Sequence, residues 1–416
     1  MDDLLDEALD GLVAVALEGA KGVGKTATAN QRAKTVLNLS DPRQRASVAA
    51  NFDLVAELEP PVFIDEWQLE PQVWDRVRQA VDDEPALAGR FLLAGSARLA
   101  PQARIHSGAG RIVRLTVRPM TLAERGVAQP TVSLRALFSG DATITGTSTL
   151  RLADYVDEIL RSGFPGIRDL SEQNRGRQLD GYLARIVDRD LPENGITVRR
   201  PAALRAWLRA YAAATASIAD YTKILDAATA GEPSKPAKST VDGYREHLTQ
   251  VFILDPLEAW TPAFSPLKRL TYAPKHHLVD PALAARLVGV GARGLLLGQG
   301  EMVAPTTATW LGALFESLAV QSVRVYAEAM NAQASHLRTK NGEHEIDLIL
   351  EAEDMRCLAC EIKLADTVDD DDVRHLRWLS AQLGNRLVDT VVLYSGPYAY
   401  RRPDGVAVIP LALLGA

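Results

Sequence analysis

Gly19-Ala20-Lys21-Gly22-Val23-Gly24-Lys25-Thr26 is the stretch whose reading decides the fold. It has the spacing glycine, four residues, glycine, lysine, threonine, between the apolar run Leu12 to Leu17 and the helix-compatible Ala27 to Arg32. A strand entering a glycine loop that opens into a helix is the setting in which this spacing carries chemistry. The glycines let backbone N–H groups curl around phosphates, and the helix presents its positive end. Lys25 is expected to neutralise the β and γ oxygens of a bound triphosphate, and the Thr26 hydroxyl to ligate Mg2+.

Such a loop calls for a second apolar strand ending in acid, and Pro61-Val62-Phe63-Ile64-Asp65-Glu66 supplies it. Asp65 is expected to hold the metal through water and Glu66 to polarise the attacking water, which makes the reaction hydrolysis and not binding alone. A third strand, Arg90 to Ser96, ends in a small polar residue suited to sensing the γ-phosphate. Helix-like stretches alternate with these strands, for example Gln72 to Val81, where Val73, Val77, Ala80 and Val81 share one face. The pattern predicts a parallel α/β sheet with its ligand at the strand ends. Beyond it, Arg111, Arg114 and Arg118 stand on or beside a short strand. Each is read either as an arginine finger, in its own subunit or a neighbour's, or as part of a solvated face.

A chain of 416 residues exceeds what one core fills, since cores rarely grow past about 250 residues. With 47% hydrophobic and 24% charged residues the composition is that of a globular protein, and no window approaches the roughly 18 apolar residues of a membrane span. The acidic start, Met-Asp-Asp-Leu-Leu-Asp-Glu, lacks the basic region of a secretory signal, so a cytoplasmic location is expected. A formal charge of −7 excludes bulk attraction to nucleic acid but leaves room for a local basic face. Cys357 and Cys360 lie three apart on a strand-like segment, so they are expected as buried filler and not as half a zinc site.

Residues 126–200 read as a connector and helical lid, with Leu152, Tyr155, Val156, Ile159 and Leu160 on one helix face. In 201–277 two helices, Leu204 to Ala214 and Ile218 to Ala228, precede a breaker-rich loop and a third helix from Ser239 to Gln250. Ser239 or Thr240 could cap that helix, and Val241, Tyr244, Leu248 and Val251 form its inward stripe. Strand-like Phe252 to Pro256 and Arg269 to Tyr272 follow. Three helices and a hairpin make a winged helix, which either sets Lys235, Lys238, Arg245, Lys268 and Arg269 on phosphates or serves only as a packing or lid module. In 278–416 a helix carries Glu316, and two strands, Glu345 to Leu350 and Leu358 to Lys363, place Asp347, Glu361 and Lys363 toward one side. His276 and His277 are expected in a loop or on the surface. Asp369 to Asp372 are expected as solvated acids at a helix start.

The succession GAKGVGKT, VFIDEWQ, FLLAGSA and GRIVRLTVRPMTLAE resembles a widespread bacterial and archaeal family of AAA-type ATP-binding proteins with a C-terminal region of unassigned function. The likeness continues through Ser162 to Gly166, Leu311 to Glu316, Glu343 to Asp347 and Cys360 to Lys363. It implies an ATPase core over 1–125, with Gly19, Ala20, Lys21, Gly22, Val23, Gly24, Lys25 and Thr26 on the nucleotide, Asp65 and Glu66 as the hydrolytic pair, Ser96 as sensor and Arg111 as finger. An Asp followed by Glu-x-Lys on the next strand also resembles the PD-(D/E)XK restriction-endonuclease-like fold. That likeness implies Asp347 and Glu361, with Glu316 as a further ligand, on a magnesium ion, and Lys363 orienting a water against DNA or RNA. Two outputs stay open: an ATP-driven nuclease-like machine acting on DNA or RNA, or an ATP-dependent interaction protein, for example of a toxin–antitoxin or defence system, whose tail binds a partner, a protein being one possibility, without cutting. Homo-oligomerisation is possible under both.

Overall fold

The computed structural model describes residues 1–97, 109–193, 196, 198–230, 237–262, 270, 272–296 and 305–416. The chain forms two compact units, the first comprising Met1–Arg118, Asp190–Thr197 and Glu246–Ile253, the second the remainder. Lys235, Lys268 and Arg269 lie outside the described residues.

The first unit is built on five parallel strands, β1 (Ala14–Glu18), β2 (Thr35–Asn38), β3 (Val62–Asp65), β4 (Phe91–Gly95) and β5 (Ile112–Thr116), in the order β2-β3-β4-β1-β5. All residues of β1, β3 and β4 are buried, as strands covered on both faces must be. One of the two faces packs Ala14, Ala16, Ile64, Phe91 and Leu93 against Trp67, Val73, Trp74 and Val77, the last three from the helix Gln72–Asp83. The register sets Glu18 beside Gly95 and Asp65 beside Ala94. The carboxyl ends of β1, β4 and β3 are therefore level.

The second unit carries β6 (Val132–Ser133), β7 (Gly146–Thr147), β8 (Gln333–Arg338), β9 (Glu345–Glu351), β10 (Cys357–Lys363), β11 (Leu387–Tyr394), β12 (Tyr398–Arg401), β13 (Ala407–Pro410) and β14 (Leu414–Gly415). Seven of these form one sheet, β7-β12-β13-β11-β10-β9-β8, and β14 pairs with β6. The helix Arg374–Leu383 crosses over between the parallel strands β10 and β11. It packs Leu376 and Leu379 on a core with Cys357, Ala359 and Val392. A second long helix, Pro305–Glu328, packs on the same sheet and sets Phe315 edge-on to Tyr155 at 5.2 Å. Cys357 and Cys360 are both free and buried on opposite faces of β10.

The helices Pro201–Ala213, Tyr221–Ala228 and Lys238–Gln250 fall where the periodicity predicts them. The third begins at Lys238, so neither Ser239 nor Thr240 caps it. The strand partners differ from expectation. Leu254 and Leu257 pair antiparallel with Leu278 and Lys275, while Leu270 bridges to Thr339. That pairing buries His276 and His277, correcting the surface assignment: His276 Nε2 bonds the Ala219 carbonyl at 2.7 Å and His277 Nδ1 the Ser317 hydroxyl at 3.2 Å. Burial holds His277 down at about 3, so it stays neutral. Asp369 to Asp372 form a turn ahead of the helix Arg374–Leu383, and Asp370 pairs with Arg377 and Arg402.

Candidate functional site

The loop between β1 and the helix Lys25–Asn30 needs its glycines for geometric reasons. A Cβ on Gly19 would lie 2.2 Å from the Val117 carbonyl oxygen, so that backbone passes where no side chain fits. Gly24 has φ 109°, a left-handed conformation open to glycine at little cost. Lys25 folds back over the loop and donates to the Gly19 and Ala20 carbonyls at 2.7 and 2.8 Å. Its neighbour Lys21 pairs with Asp190 at 2.7 Å and Glu193 at 3.4 Å.

The Thr26 hydroxyl bonds both oxygens of Asp65, at 3.0 and 3.2 Å, which joins the loop helix to the end of β3. Burial pushes the Asp65 carboxyl above its ordinary range, with the Thr26 bond pulling the other way. Glu66 sits at φ 53°, a left-handed position uncommon for a side-chain-bearing residue, and the strain belongs where geometry is over-determined. Its carboxylate accepts from the Ser96 hydroxyl at 2.9 Å and from the Gln68 amide. The site therefore brings together Lys25, Thr26, Asp65, Glu66 and Ser96 from three adjacent strand ends. Gln68 had no signal in the sequence beyond lying two residues after Glu66. Gly95 makes room for it, since a Cβ there would meet Trp67 Nε1 at 2.8 Å and Gln68 Oε1 at 3.1 Å. Arg111 is held by Asp82 at 2.8 Å and by the Ala109 carbonyl, and Arg114 lies over the Trp74 ring and 3.4 Å from Glu18.

Burial outweighs the nearby Glu66 and Asp65 and holds the Lys25 ammonium down at about 8. A polyphosphate beside it would restore the proton, so the free loop deprotonates as pH rises through about 8 while the loaded loop stays charged. ATP affinity is expected to fall above that pH by up to about tenfold per unit. Calorimetry near pH 9 in two buffers of different ionisation enthalpy should read uptake approaching one proton per ATP. Zero uptake would place the ammonium away from the phosphates.

In the second unit Glu316, Asp347, Glu361 and Lys363 do converge, but around an ammonium that sequence reasoning missed. Lys275, with a side chain only 2% exposed, donates to Asp347 at 2.8 Å and Glu316 at 2.9 Å and pairs with Glu345 at 3.1 Å. The other Asp347 oxygen accepts from the Ile362 N–H at 2.9 Å, and Lys363 stands 3.4 Å from Glu361. Burial acts against charge on both partners, yet mutual attraction wins: Lys275 is raised well above the usual lysine range and Asp347 lowered. Glu316 and Glu361 are raised, by burial first and then by the Asp347 charge. The Oε1 atom of Glu361 is buried without a hydrogen-bond partner. Among the described residues no group of three or more acids, histidines or cysteines is arranged to hold a metal ion. The expected magnesium does not fit here, because Lys275 takes the centre of the nest.

Three stretches of the chain match family models. Residues 13–125 match the AAA domain family, 152–294 a domain of unknown function (DUF8612), and 311–414 a second domain of unknown function (DUF4143). The loop-bearing region is thus an AAA-type ATPase-like domain. Two curated relatives, the uncharacterized proteins Rv2008c of Mycobacterium tuberculosis and Mb2031c of Mycobacterium bovis, are each 25% identical over 98% of this chain and 82% of their own. Among solved structures, the Walker-type ATPase PABY2304 of Pyrococcus abyssi aligns with a TM-score of 0.41 and 16% identity, over 69% of this chain and 94% of that one. The ORC2 protein of Aeropyrum pernix, an ADPNP–ADP complex, aligns at 0.29 and 15%, over 69% and 91%. Among the described residues no helix is long and apolar enough to cross a membrane.

Proposed function

We propose that this protein is an ATP-hydrolysing switch in which Gly19 to Thr26 hold the triphosphate and Glu66 orients the attacking water. The observation that carries the reading is the Thr26 hydroxyl on Asp65 beside a Glu66 carboxylate already aimed by Ser96. The Thr26 hydroxyl and Asp65 carboxylate are oxygen donors suited to a magnesium ion and would hold it; when bound, it would neutralise charge on the β and γ phosphates. Lys25 supplies a second positive charge from a desolvated position, where it acts more strongly than in water. Glu66 accepts the proton of the water, and Ser96 keeps its carboxylate in place. Losing one such positioning bond costs about 1–1.5 kcal/mol, so Ser96→Ala should lower kcat roughly tenfold with KM little changed. A tenfold rise in KM with kcat unchanged would instead make Ser96 a binding group. Arg111 remains the finger candidate toward a neighbouring copy, since its present partner Asp82 is exposed and exchangeable.

For the tail, the order helix Pro305–Glu328, β8, β9, β10, helix Arg374–Leu383, β11, with Asp347 on β9 and Glu361 and Lys363 on β10, supports the reading of a restriction-endonuclease-like fold. The three helices from Pro201 to Gln250 support a winged-helix-like module between lid and tail. Lys275 favours the second of the two outputs, an ATP-dependent interaction protein whose tail binds a partner without cutting. Phosphate release from Mg-ATP tests the switch. Incubation with plasmid, single-stranded DNA and RNA, with magnesium or manganese and with or without ATP, tests the tail. Cleavage lost in Lys363→Ala would restore the nuclease output.

A further inference from the structure

Acids buried together are neutralised either by protons or by a cation. Glu316 comes from the helix Pro305–Glu328, Glu345 and Asp347 from β9, and Glu361 from β10, so three separate elements contribute carboxyls. An ammonium has three donors and no acceptor. Lys275 donates to Asp347 at 2.8 Å and to Glu316 at 2.9 Å, and Glu345 stands 3.1 Å away as an ion-pair partner. Nothing about its position is loose. The Lys275 N–H donates to the Leu257 carbonyl at 2.9 Å, and the Leu257 N–H donates to that of Lys275 at 3.0 Å. The stem is fixed to a paired segment, and the head is enclosed. Lys363 answers Glu361 and Arg338 answers the second oxygen of Glu345, leaving Lys275 to balance Glu316 and Asp347.

We propose that the Lys275 ammonium is a built-in substitute for a divalent cation: with it in place the nest takes up no metal, and without it Glu316, Asp347 and Glu361 form a divalent-cation site. The proposal rests on the non-cutting reading of the tail and supplies its cause. An ammonium gives the acids one compact positive charge but has no open coordination position for a water. The Glu361 oxygen left without a partner is the acceptor that a larger, multivalent ion would engage.

The test is Mn2+ binding, followed by the electron paramagnetic resonance of the free ion, on nucleotide-free full-length chain carrying Asp65→Asn to silence the ATPase domain. The Lys275 protein should bind no Mn2+ that Asp347→Asn removes. Lys275→Met should gain one site per chain, at least about tenfold tighter than any in its parent, and lose it on adding Asp347→Asn. If Lys275→Met is poorly folded, Mn2+ should restore its thermal transition, and the charge-balanced pair Lys275→Met with Glu345→Gln should show the gained site in folded protein. Two results overturn the proposal: Mn2+ held by the Lys275 chain in an Asp347-dependent manner, or folded Lys275→Met or paired variant with no gain over its parent. Both are independent of nucleic-acid cleavage, so the functional reading and this one can fail separately.

Discussion

Lys25→Ala should abolish measurable ATP turnover, with kcat/KM falling by about 10²–10³ or more, the range seen when one preorganised electrostatic group is removed from a transition state. The size follows from where the ammonium sits. It is 6% exposed and rests on the Gly19 and Ala20 carbonyls, so it is desolvated before any phosphate arrives. Its charge therefore acts on developing negative charge without first shedding water. Alanine at this position removes the charge and unpairs two carbonyls of the loop, but it also relieves the burial of a cation whose proton is already weakly held. Stability should consequently change little, and a thermal transition close to that of the parent separates lost chemistry from lost fold. Turnover that persists in Lys25→Ala, in preparations free of other ATPases, would remove the nucleotide-site assignment and with it the switch.

The residues around this loop were legible because their information is local. A strand, a glycine loop and a helix start are consecutive, and two acids at the end of an apolar run mark a strand terminus wherever the strand goes. Ser96 needed only one more step, since a third apolar strand in a parallel sheet must end on the same edge. Gln68 was silent because its role depends on a missing Cβ at Gly95, a close approach between segments that spacing cannot express. The tail shows the same limit more severely. Asp347 and Glu361-x-Lys363 could be aligned from strand alternation, but Lys275 lies 41 and 72 residues before the acids it joins, in a segment without a periodic pattern. The partner of Leu254 to Leu257 was misread for a related reason. Arg269 to Tyr272 has the better strand composition, yet the antiparallel partner is Lys275 to Leu278, whose two histidines read as polar until pairing buries them. Two-residue strands such as β6 and β7 are too short for alternation to appear at all.

Lys275→Met should cost about 3–5 kcal/mol near neutral pH, the range for breaking a buried ion pair by deleting one partner. Methionine fills nearly the same volume, so the loss is electrostatic: the largely buried Glu316 and Asp347, with the partly exposed Glu345 beside them, would be left with no ammonium among them. The sign with pH follows from the shifts. Lys275 is raised in the fold, so its contribution is fully present below the unfolded lysine value and is lost as pH climbs through the raised one. Asp347 is lowered in the fold, so its contribution is present above the unfolded aspartate value and fades as pH falls through the lowered one. The penalty of the variant should accordingly be greatest at neutral pH and shrink in acid, where protonated carboxyls no longer need a cation. Replacing both partners, as Lys275→Met with Asp347→Asn, should recover much of the loss, since mutual absence leaves fewer unpaired charges than single absence. Because two units can unfold separately, the quantity to measure is local: hydrogen exchange of the β9 and β10 amides across the double-mutant cycle. A single-variant penalty under about 1 kcal/mol, the ordinary worth of a solvent-exposed pair, would mean that the nest is neutralised by protons and that Lys275 is a passenger in it.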